Sequence, residues 1–123
     1  MNYSYEKQDN NTYVYMCNNK AYKVIIGKNK HDNWKIIDES NSNDVWFHVD
    51  DHPSSHVIIR IDDPKDISKL DKKLIKFAAI KCKENSKVNS VRKLTIVYSR
   101  IIDIEKGEYT GQVIAHVKKT INV

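Results

Sequence analysis

The sequence predicts an α+β fold, with a mostly antiparallel β-sheet, one long α-helix and a short helix packed on it. Segments that alternate apolar and polar residues recur along the chain, which is typical of half-buried strands. One segment, between residues 63 and 82, instead spaces its apolar residues as an amphipathic helix does. The composition, 40% hydrophobic and 30% charged over 123 residues, suits a folded domain. We expect a single domain over residues 1–123, with residues 1–11 poorly ordered.

Two strands and a short helix form the first part of this domain. Segments 12–17 and 21–27 are rich in β-branched and aromatic residues, and Asn18 and Asn19 between them favour a tight turn. After the second strand, a polar stretch leads into a short helix that we expect to pass through Trp34.

A hairpin and the long helix come next. Apolar residues occupy every second position in 44–49 and 56–61, which predicts two strands with one buried face each, joined by a loop centred on Pro53. Asp63 suits the N-cap of the long helix and Pro64 its first position, where a missing N–H costs nothing.

Further strands are predicted in the last third of the chain. Residues 93–99 read as one strand, and residues 110–123 contain one or two more after a turn at Lys106–Gly107. The sheet is therefore built from both halves of the sequence.

The net charge of +5 is distributed unevenly. Residues 1–62 contain 7 Lys and Arg against 9 Asp and Glu, whereas residues 63–123 contain 14 against 7. A positive field of this kind attracts polyanions such as nucleic acid. No apolar run is long enough for a membrane span, no signal peptide is expected, and the two separated cysteines do not form a secreted disulfide framework. We expect a cytoplasmic protein with no membrane partner.

Three evenly spaced histidines, His48, His52 and His56, leave three interpretations open. On a helix the three side chains would line up on one face, where they could bind metal ions. Pro53 and the flanking segments, which alternate apolar and polar residues, favour strands instead, and no Cys-x-x-Cys pair supports a metal site. As acid–base groups they would need a convergent nucleophile, and no Gly-x-Ser-x-Gly motif is present. The third interpretation is a binding face. We expect no metal, no cofactor and no enzymatic activity.

The binding face follows from the alternation in the hairpin. Trp46 and His48 alternate with the buried set and so project from the opposite side of their strand, where His56 and Arg60 could join them. Flat rings stack on unpaired bases, and a guanidinium contacts phosphate. Trp46 could equally belong to the core with its N–H hydrogen-bonded, and the sequence leaves that alternative open.

Three segments of the sequence resemble the NFACT-R domain family. They are GKNKHDN (27–33), DVWFHV (44–49) and PSSHVII (53–59), which match its glycine–basic loop, its Trp-Phe-His block and its Ser-His-Val strand. Two departures are the serine at position 54, where many members have glycine, and the order Asp32–Asn33. Shorter matches occur at Ser86–Lys87, Val97–Tyr98–Ser99 and Gly111–Gln112–Val113.

The resemblance implies RNA binding. Large members of the family, the NEMF and fibronectin-binding-protein-A-like proteins, act on stalled large ribosomal subunits and engage tRNA. We therefore expect a non-catalytic module for structured RNA (tRNA or rRNA) in ribosome-associated quality control. DNA binding and a protein-interaction module that docks on ribosomes are the alternatives, and the oligomeric state is not predicted.

Eleven residues are expected to contact the nucleic acid. The first seven come from the resemblance, Arg60 from its place on the hairpin, and the last three from charge and position only. They are Lys28, Lys30, Asn33, Trp46, His48, Ser55, His56, Arg60, Arg92, Lys93 and Arg100.

Overall fold

A seven-stranded antiparallel sheet forms the centre of the molecule, which is represented by a computed structural model that describes residues 3–62 and 67–123. The helices are α1 (Lys30–Asp38) and α2 (Lys72–Glu84). The strands are β1 (Tyr3–Lys7), β2 (Thr12–Cys17), β3 (Lys20–Ile26), β4 (Val45–Val49), β5 (Val57–Ile59), β6 (Thr95–Arg100), β7 (Ile104–Lys106), β8 (Val113–Ala115) and β9 (Lys119–Asn122). The sheet has the order β1-β2-β3-β5-β4-β6-β9, and β7 pairs only with β8. The predicted α+β class with a mostly antiparallel sheet is thus confirmed.

Helix α2 covers one face of the sheet and closes the main core. Val45, Phe47 and Val49 alternate along β4 and are almost completely buried, as are Leu74 and Ala78 of the helix. Burying one large apolar side chain contributes about 1.5–3 kcal/mol, so this face supplies much of the folding free energy.

Helix α1 and the β7–β8 hairpin cover the central part of the opposite face. They enclose a second, smaller cluster in which Trp46, Ile58 and Val97 of the sheet pack with Ile36 of α1. The middle strands are therefore buried on both faces, so side chains that alternate with the main core are not automatically exposed. Within the described ranges, no helix is long and apolar enough to cross a bilayer.

The long helix of the prediction is shorter in the structure. Helix α2 has 13 residues and begins after Asp71, whose carboxylate accepts a 2.8 Å hydrogen bond from the N–H of Lys73. Residues Ile67–Lys69 form a 3-10 turn instead, and Leu70 is buried in the core without being helical. Apolar spacing therefore continued beyond the helix itself. The predicted cap and first position, Asp63 and Pro64, lie outside the described residues.

The remaining elements follow the predictions, except that β1 and β7 are strands that were not predicted. The Asn18–Asn19 turn is confirmed, with both residues at positive φ (52° and 65°), as a tight two-residue hairpin turn requires. Residues 3–7, for which we expected little order, form β1 and pair with β2 along its length. The C-terminal region gives β8 and β9, and β7 precedes its glycine turn.

Candidate nucleic-acid interface

One edge of the sheet gathers most of the predicted residues. Because the strands are antiparallel, the end of β3, the start of β5, the end of β4 and the start of β6 all lie at this edge. We call it the Gly27 edge, after the residue that follows β3. Lys28, His48, Ser55, His56 and Lys93 are all within a few residues of it.

Two hydrogen bonds hold this edge together, and they involve Gly27, Asn33 and His56. Gly27 donates from its N–H to the carbonyl of His56 at 2.8 Å, and the side chain of Asn33 accepts from the N–H of His56 at 3.1 Å. A Cβ at position 27 would collide with Oδ1 of Asn33, so only glycine fits here. Asn33 is 7% exposed. Its side chain holds the backbone of His56 and leaves little exposed surface for the predicted contact with nucleic acid.

The start of α1 places two lysines on the surface. Asn29 caps the helix by accepting from the N–H of Asp32 at 2.9 Å, and Asp32 accepts from the N–H of Lys28 at 2.8 Å. The turn is therefore fixed by its own side chains. Lys28 and Lys30 are exposed on either side of the cap, as phosphate contacts would require.

Three rings of the central hairpin form a compact cluster. His48 stacks on Trp46 with the ring planes 7° apart and the centroids 5.8 Å apart. His56 packs edge-on against both rings, with centroids 5.5 Å from Trp46 and 5.0 Å from His48. Trp46 is 3% exposed and His56 2% exposed. The predicted outward-facing ring is thus wrong for His56, and for Trp46 the alternative that it belongs to the core is confirmed, because α1 and the β7–β8 hairpin cover this face. Only His48 of the three remains half-buried.

Burial sets the charge of the two histidines. The pKa of His56 is lowered to about 3, mainly by its removal from water and also by the nearby His48, while a backbone group of Gly111 partly offsets these effects. Burial also lowers the pKa of His48, although Val49 and Asp50 oppose the shift. Both imidazoles are therefore neutral near pH 7. Among the described residues, Nδ1 of His56 and Nε1 of Trp46 are buried without a hydrogen-bond partner.

A cleft of about 410 Å³ opens beside His48. We call it the His48 cleft; its walls come from the end of β4, the loop after it and the β7–β8 hairpin. It combines ring surfaces with a lysine and two aspartates at its rim. Its lining residues are Trp46, His48, Val49, Asp50, Asp51, His52, Pro53, Val97, Gln112, Val113, Ala115 and Lys118.

The β7–β8 hairpin is held in place by contacts with α1. The indole N–H of Trp34 donates to the carbonyl of Gln112 at 3.0 Å, and Nζ of Lys106 lies 2.6 Å from Asp38. Gly111 has φ +89° and passes so close to Lys30 that a Cβ would lie 2.9 Å from the lysine Cβ. Lys30 therefore lies next to the hairpin that forms one wall of the cleft.

Arg60 and Arg100 lie at the other edge of the sheet, which contradicts the prediction that Arg60 shares a surface with the rings. Nε of Arg60 is 3.8 Å from Asp44, which is completely buried, and Nε of Arg100 is 3.4 Å from Asp103. Asp44 also accepts backbone hydrogen bonds from Ile61 at 2.8 Å and Asn41 at 2.9 Å. Each arginine therefore has an acidic neighbour, and Asp44 is structural rather than an acid–base group.

The remaining predicted residues lie at the Gly27 edge with different exposure. Arg92 and Lys93 are exposed in the segment before β6. Ser55 is partly buried, and its backbone donates to the carbonyl of Asn85 at 3.2 Å, which joins the loop to the end of α2. In the part of the chain that the structure describes, no three His, Cys, Asp or Glu side chains group closely enough to hold a metal ion.

Sequence reasoning missed the hairpin side of the cleft. Gln112 and Lys118 reach the cleft only because a hairpin more than 60 residues from His48 in sequence folds back over the sheet. The one available signal was the Gly111–Gln112–Val113 match to the family. No periodicity within the hairpin itself indicates which side of the sheet it covers.

These features define the protein as a small α+β domain that presents lysines and a ring-lined cleft at one edge of an antiparallel sheet. The family follows from sequence comparison. Residues 12–118 match the family described as the NFACT protein RNA binding domain. The match covers most of the chain, so the chain belongs to this family, and the resemblance seen in its motifs is confirmed.

Structural comparison supports the fold assignment. The C-terminal part of the fibronectin/fibrinogen-binding protein from Streptococcus suis superposes with a TM-score of 0.78 at 23% sequence identity. The alignment covers 96% of this chain and 46% of that one, so the chain spans about half the length of its structural neighbour. No curated protein matches the sequence.

Proposed function

We propose that the protein is a non-catalytic RNA-binding module whose contacts centre on the Gly27 edge. The observation that carries the proposal is the match of residues 12–118 to an RNA-binding domain family. The geometry supports it, since Lys28 and Lys30 are exposed, Lys30 lies next to the hairpin wall of the His48 cleft, and Lys118 lines the cleft itself.

The arrangement suits RNA on physical grounds. Lysine ammonium groups contact phosphates as point charges, and release of counterions from the phosphates makes such binding salt-dependent. The cleft offers neutral imidazole and apolar surface on which an unpaired base can pack, and Lys118 is among its lining residues. We further propose structured RNA, tRNA or rRNA, as the target, in a cytoplasmic, ribosome-associated setting.

Filter binding of tRNA across a salt series tests the proposal. The wild-type affinity should fall steeply with rising salt, and Lys28→Glu/Lys30→Glu should weaken binding at least about tenfold and reduce the salt slope by about 2, one per lost phosphate contact. Lys35→Glu is the matched control, since Lys35 is exposed on the same helix away from its first turn. Absence of tRNA retention at low salt, or equal losses in both variants, would contradict the proposal.

Competition separates the possible nucleic acids. Only RNA presents the 2′-OH, so an RNA hairpin should compete better than a DNA hairpin of the same sequence if the module is specific for RNA. Equal competition would indicate a general polyanion surface, and capture of ribosomal proteins after nuclease treatment would instead favour the protein-interaction alternative.

A further inference from the structure

We propose that a second surface, on the α2 side of the sheet, binds single-stranded nucleic acid by stacking bases on tyrosines interleaved with lysines. We call it the tyrosine–lysine surface; it is formed by Tyr3, Tyr5, Tyr13, Lys73, Phe77 and Lys81. It lies apart from the Gly27 edge and goes beyond the function proposed above. Strand β1, which supplies two of its rings, precedes the segment that matches the family.

The tyrosines come from two neighbouring strands. Tyr5 lies opposite Tyr15 in the β1–β2 register, and Tyr3 and Tyr13 occupy positions two residues away on the same face. Tyr3 stacks on Tyr15 with centroids 6.0 Å apart, and Tyr5 packs on Tyr13 at 6.3 Å. Two adjacent strands that carry aromatic rings on one face form a platform on which successive bases can stack.

Helix α2 contributes the charges and one more ring. Lys73, Phe77 and Lys81 are spaced four residues apart and so lie along one side of the helix. Phe77 packs against Tyr5 at 4.9 Å and Tyr13 at 5.7 Å. These contacts align the helix with the tyrosine strands, so its lysines stand beside the rings.

The lysines contact the ring faces directly. Nζ of Lys73 lies 4.8 Å from the centroid of Tyr3, and Nζ of Lys81 lies 4.5 Å from that of Tyr13. Glu84 pairs with Lys81 at 3.1 Å, whereas Lys73 is exposed beside Tyr3; Lys72 and Lys76 lie on the side of the helix that faces β9. Alternating cations and rings match the alternating phosphates and bases of an unpaired strand.

Exposure distinguishes this surface from ordinary core packing. Tyr5 is 57% exposed and Tyr3 43% exposed, although both are large aromatic side chains. At the Gly27 edge, by contrast, the rings of Trp46 and His56 are buried. Here two adjacent tyrosines remain open to solvent next to lysines, which suits a flexible strand better than a rigid duplex.

Fluorescence anisotropy with a labelled oligouridylate tests the proposal on the full chain. Tyr3→Ala/Tyr5→Ala should weaken binding at least about fivefold, the lower end for loss of one stacked base, while affinity for a duplex of equal length stays unchanged. Ser4→Ala/Glu6→Ala is the matched control, because these residues alternate with the tyrosines on the same strand and face the other way.

A second variant protects the test against loss of folding. Tyr3→Leu/Tyr5→Leu keeps apolar cover over Phe77 but removes the ring faces, so it should lose oligouridylate affinity while circular dichroism and the urea midpoint stay close to wild type. In the background of Lys28→Glu/Lys30→Glu, the tyrosine substitutions should still weaken oligouridylate binding by the same factor, which separates this surface from the Gly27 edge. Tyrosine variants with wild-type affinity, or a control that loses as much, overturn the proposal. So does a wild-type dimer that the tyrosine variants dissociate without any change in affinity.

Discussion

The side chain of Asn33, on α1, accepts a 3.1 Å hydrogen bond from the backbone N–H of His56, the residue immediately before β5. The two residues are 23 positions apart, and their contact passes directly over Gly27. This relationship fixes the depth at which α1 sits on the sheet. It therefore fixes the position of Lys28 and Lys30 relative to the His48 cleft.

Gly27→Ala should disrupt this contact. The new Cβ would collide with Oδ1 of Asn33, so the helix must shift or the hydrogen bond to His56 must break. Overpacking of this kind costs about 1–3 kcal/mol. Urea denaturation should show the loss in the free energy of unfolding. In the background of Asn33→Ala, which removes the colliding atom, Gly27→Ala should cost much less, and strictly additive losses would refute the explanation.

Asp44→Asn should destabilise the opposite edge of the sheet. The two carboxylate oxygens of Asp44 accept separate hydrogen bonds, from the N–H of Ile61 at 2.8 Å and of Asn41 at 2.9 Å. Asparagine supplies one acceptor and turns an NH₂ group towards the other N–H, so one hydrogen bond is lost and two donors face each other, at a cost of about 1–3 kcal/mol. Thermal and urea unfolding measure this loss in the free energy of unfolding. Asp62→Asn, at an exposed neighbouring position, is the control and should change stability by less than about 0.5 kcal/mol; a wild-type midpoint for Asp44→Asn would contradict this role.

Stability should fall as the solution is acidified below about pH 6.5. The buried His56 has a pKa of about 3 in the folded protein, against 6.5 as its ordinary value, so the unfolded chain binds the proton first. The contribution of the neutral imidazole is complete above pH 6.5 and is lost as the pH falls towards 3, by up to about 1.4 kcal/mol per pH unit. The lowered pKa of His48 acts in the same direction.

His56→Gln isolates this effect. The slope of the unfolding free energy between pH 6.5 and pH 4 should flatten in the variant, measured by urea denaturation at each pH. His52→Gln is the control, because His52 is exposed and should leave the slope as it is. A variant that keeps the full wild-type slope would show that the acid sensitivity arises elsewhere, for example from carboxylates.

Local sequence patterns predicted where the strands lie better than they predicted which faces of the sheet other elements cover. Alternation in 45–49 correctly placed Val45, Phe47 and Val49 in the core, because one face of β4 packs on α2. The same alternation left Trp46 facing the other way, and nothing within the strand could show that α1 and a distant hairpin would cover it. A strand buried on both faces differs from an open one only through tertiary contacts.

The candidate site shows the same limit. Lys28 and Lys30, which were predicted to contact nucleic acid, are exposed, because a capped helix start places them on the surface. Arg60 was grouped with the rings from its place on the hairpin, and Arg100 was selected from charge and position, but the register places both at the opposite edge beside Asp44 and Asp103. Charge patterns identify basic residues, whereas only the sheet order shows which of them share an edge.

His48→Ala should separate binding of unpaired bases from binding of phosphate. The imidazole lies on Trp46 at 5.8 Å and lines the His48 cleft, so its removal widens the cleft and deletes the ring surface within it. If a base of the RNA packs there, affinity for an RNA hairpin with an unpaired loop should fall about fivefold or more, the scale of one lost stacking contact. Affinity for a blunt duplex and the salt slope should stay the same, because no phosphate contact is lost.

Asp51→Ala, at the exposed rim, controls for changes in the loop. Equal loss of loop and duplex binding in His48→Ala would mean that the cleft does not hold a base.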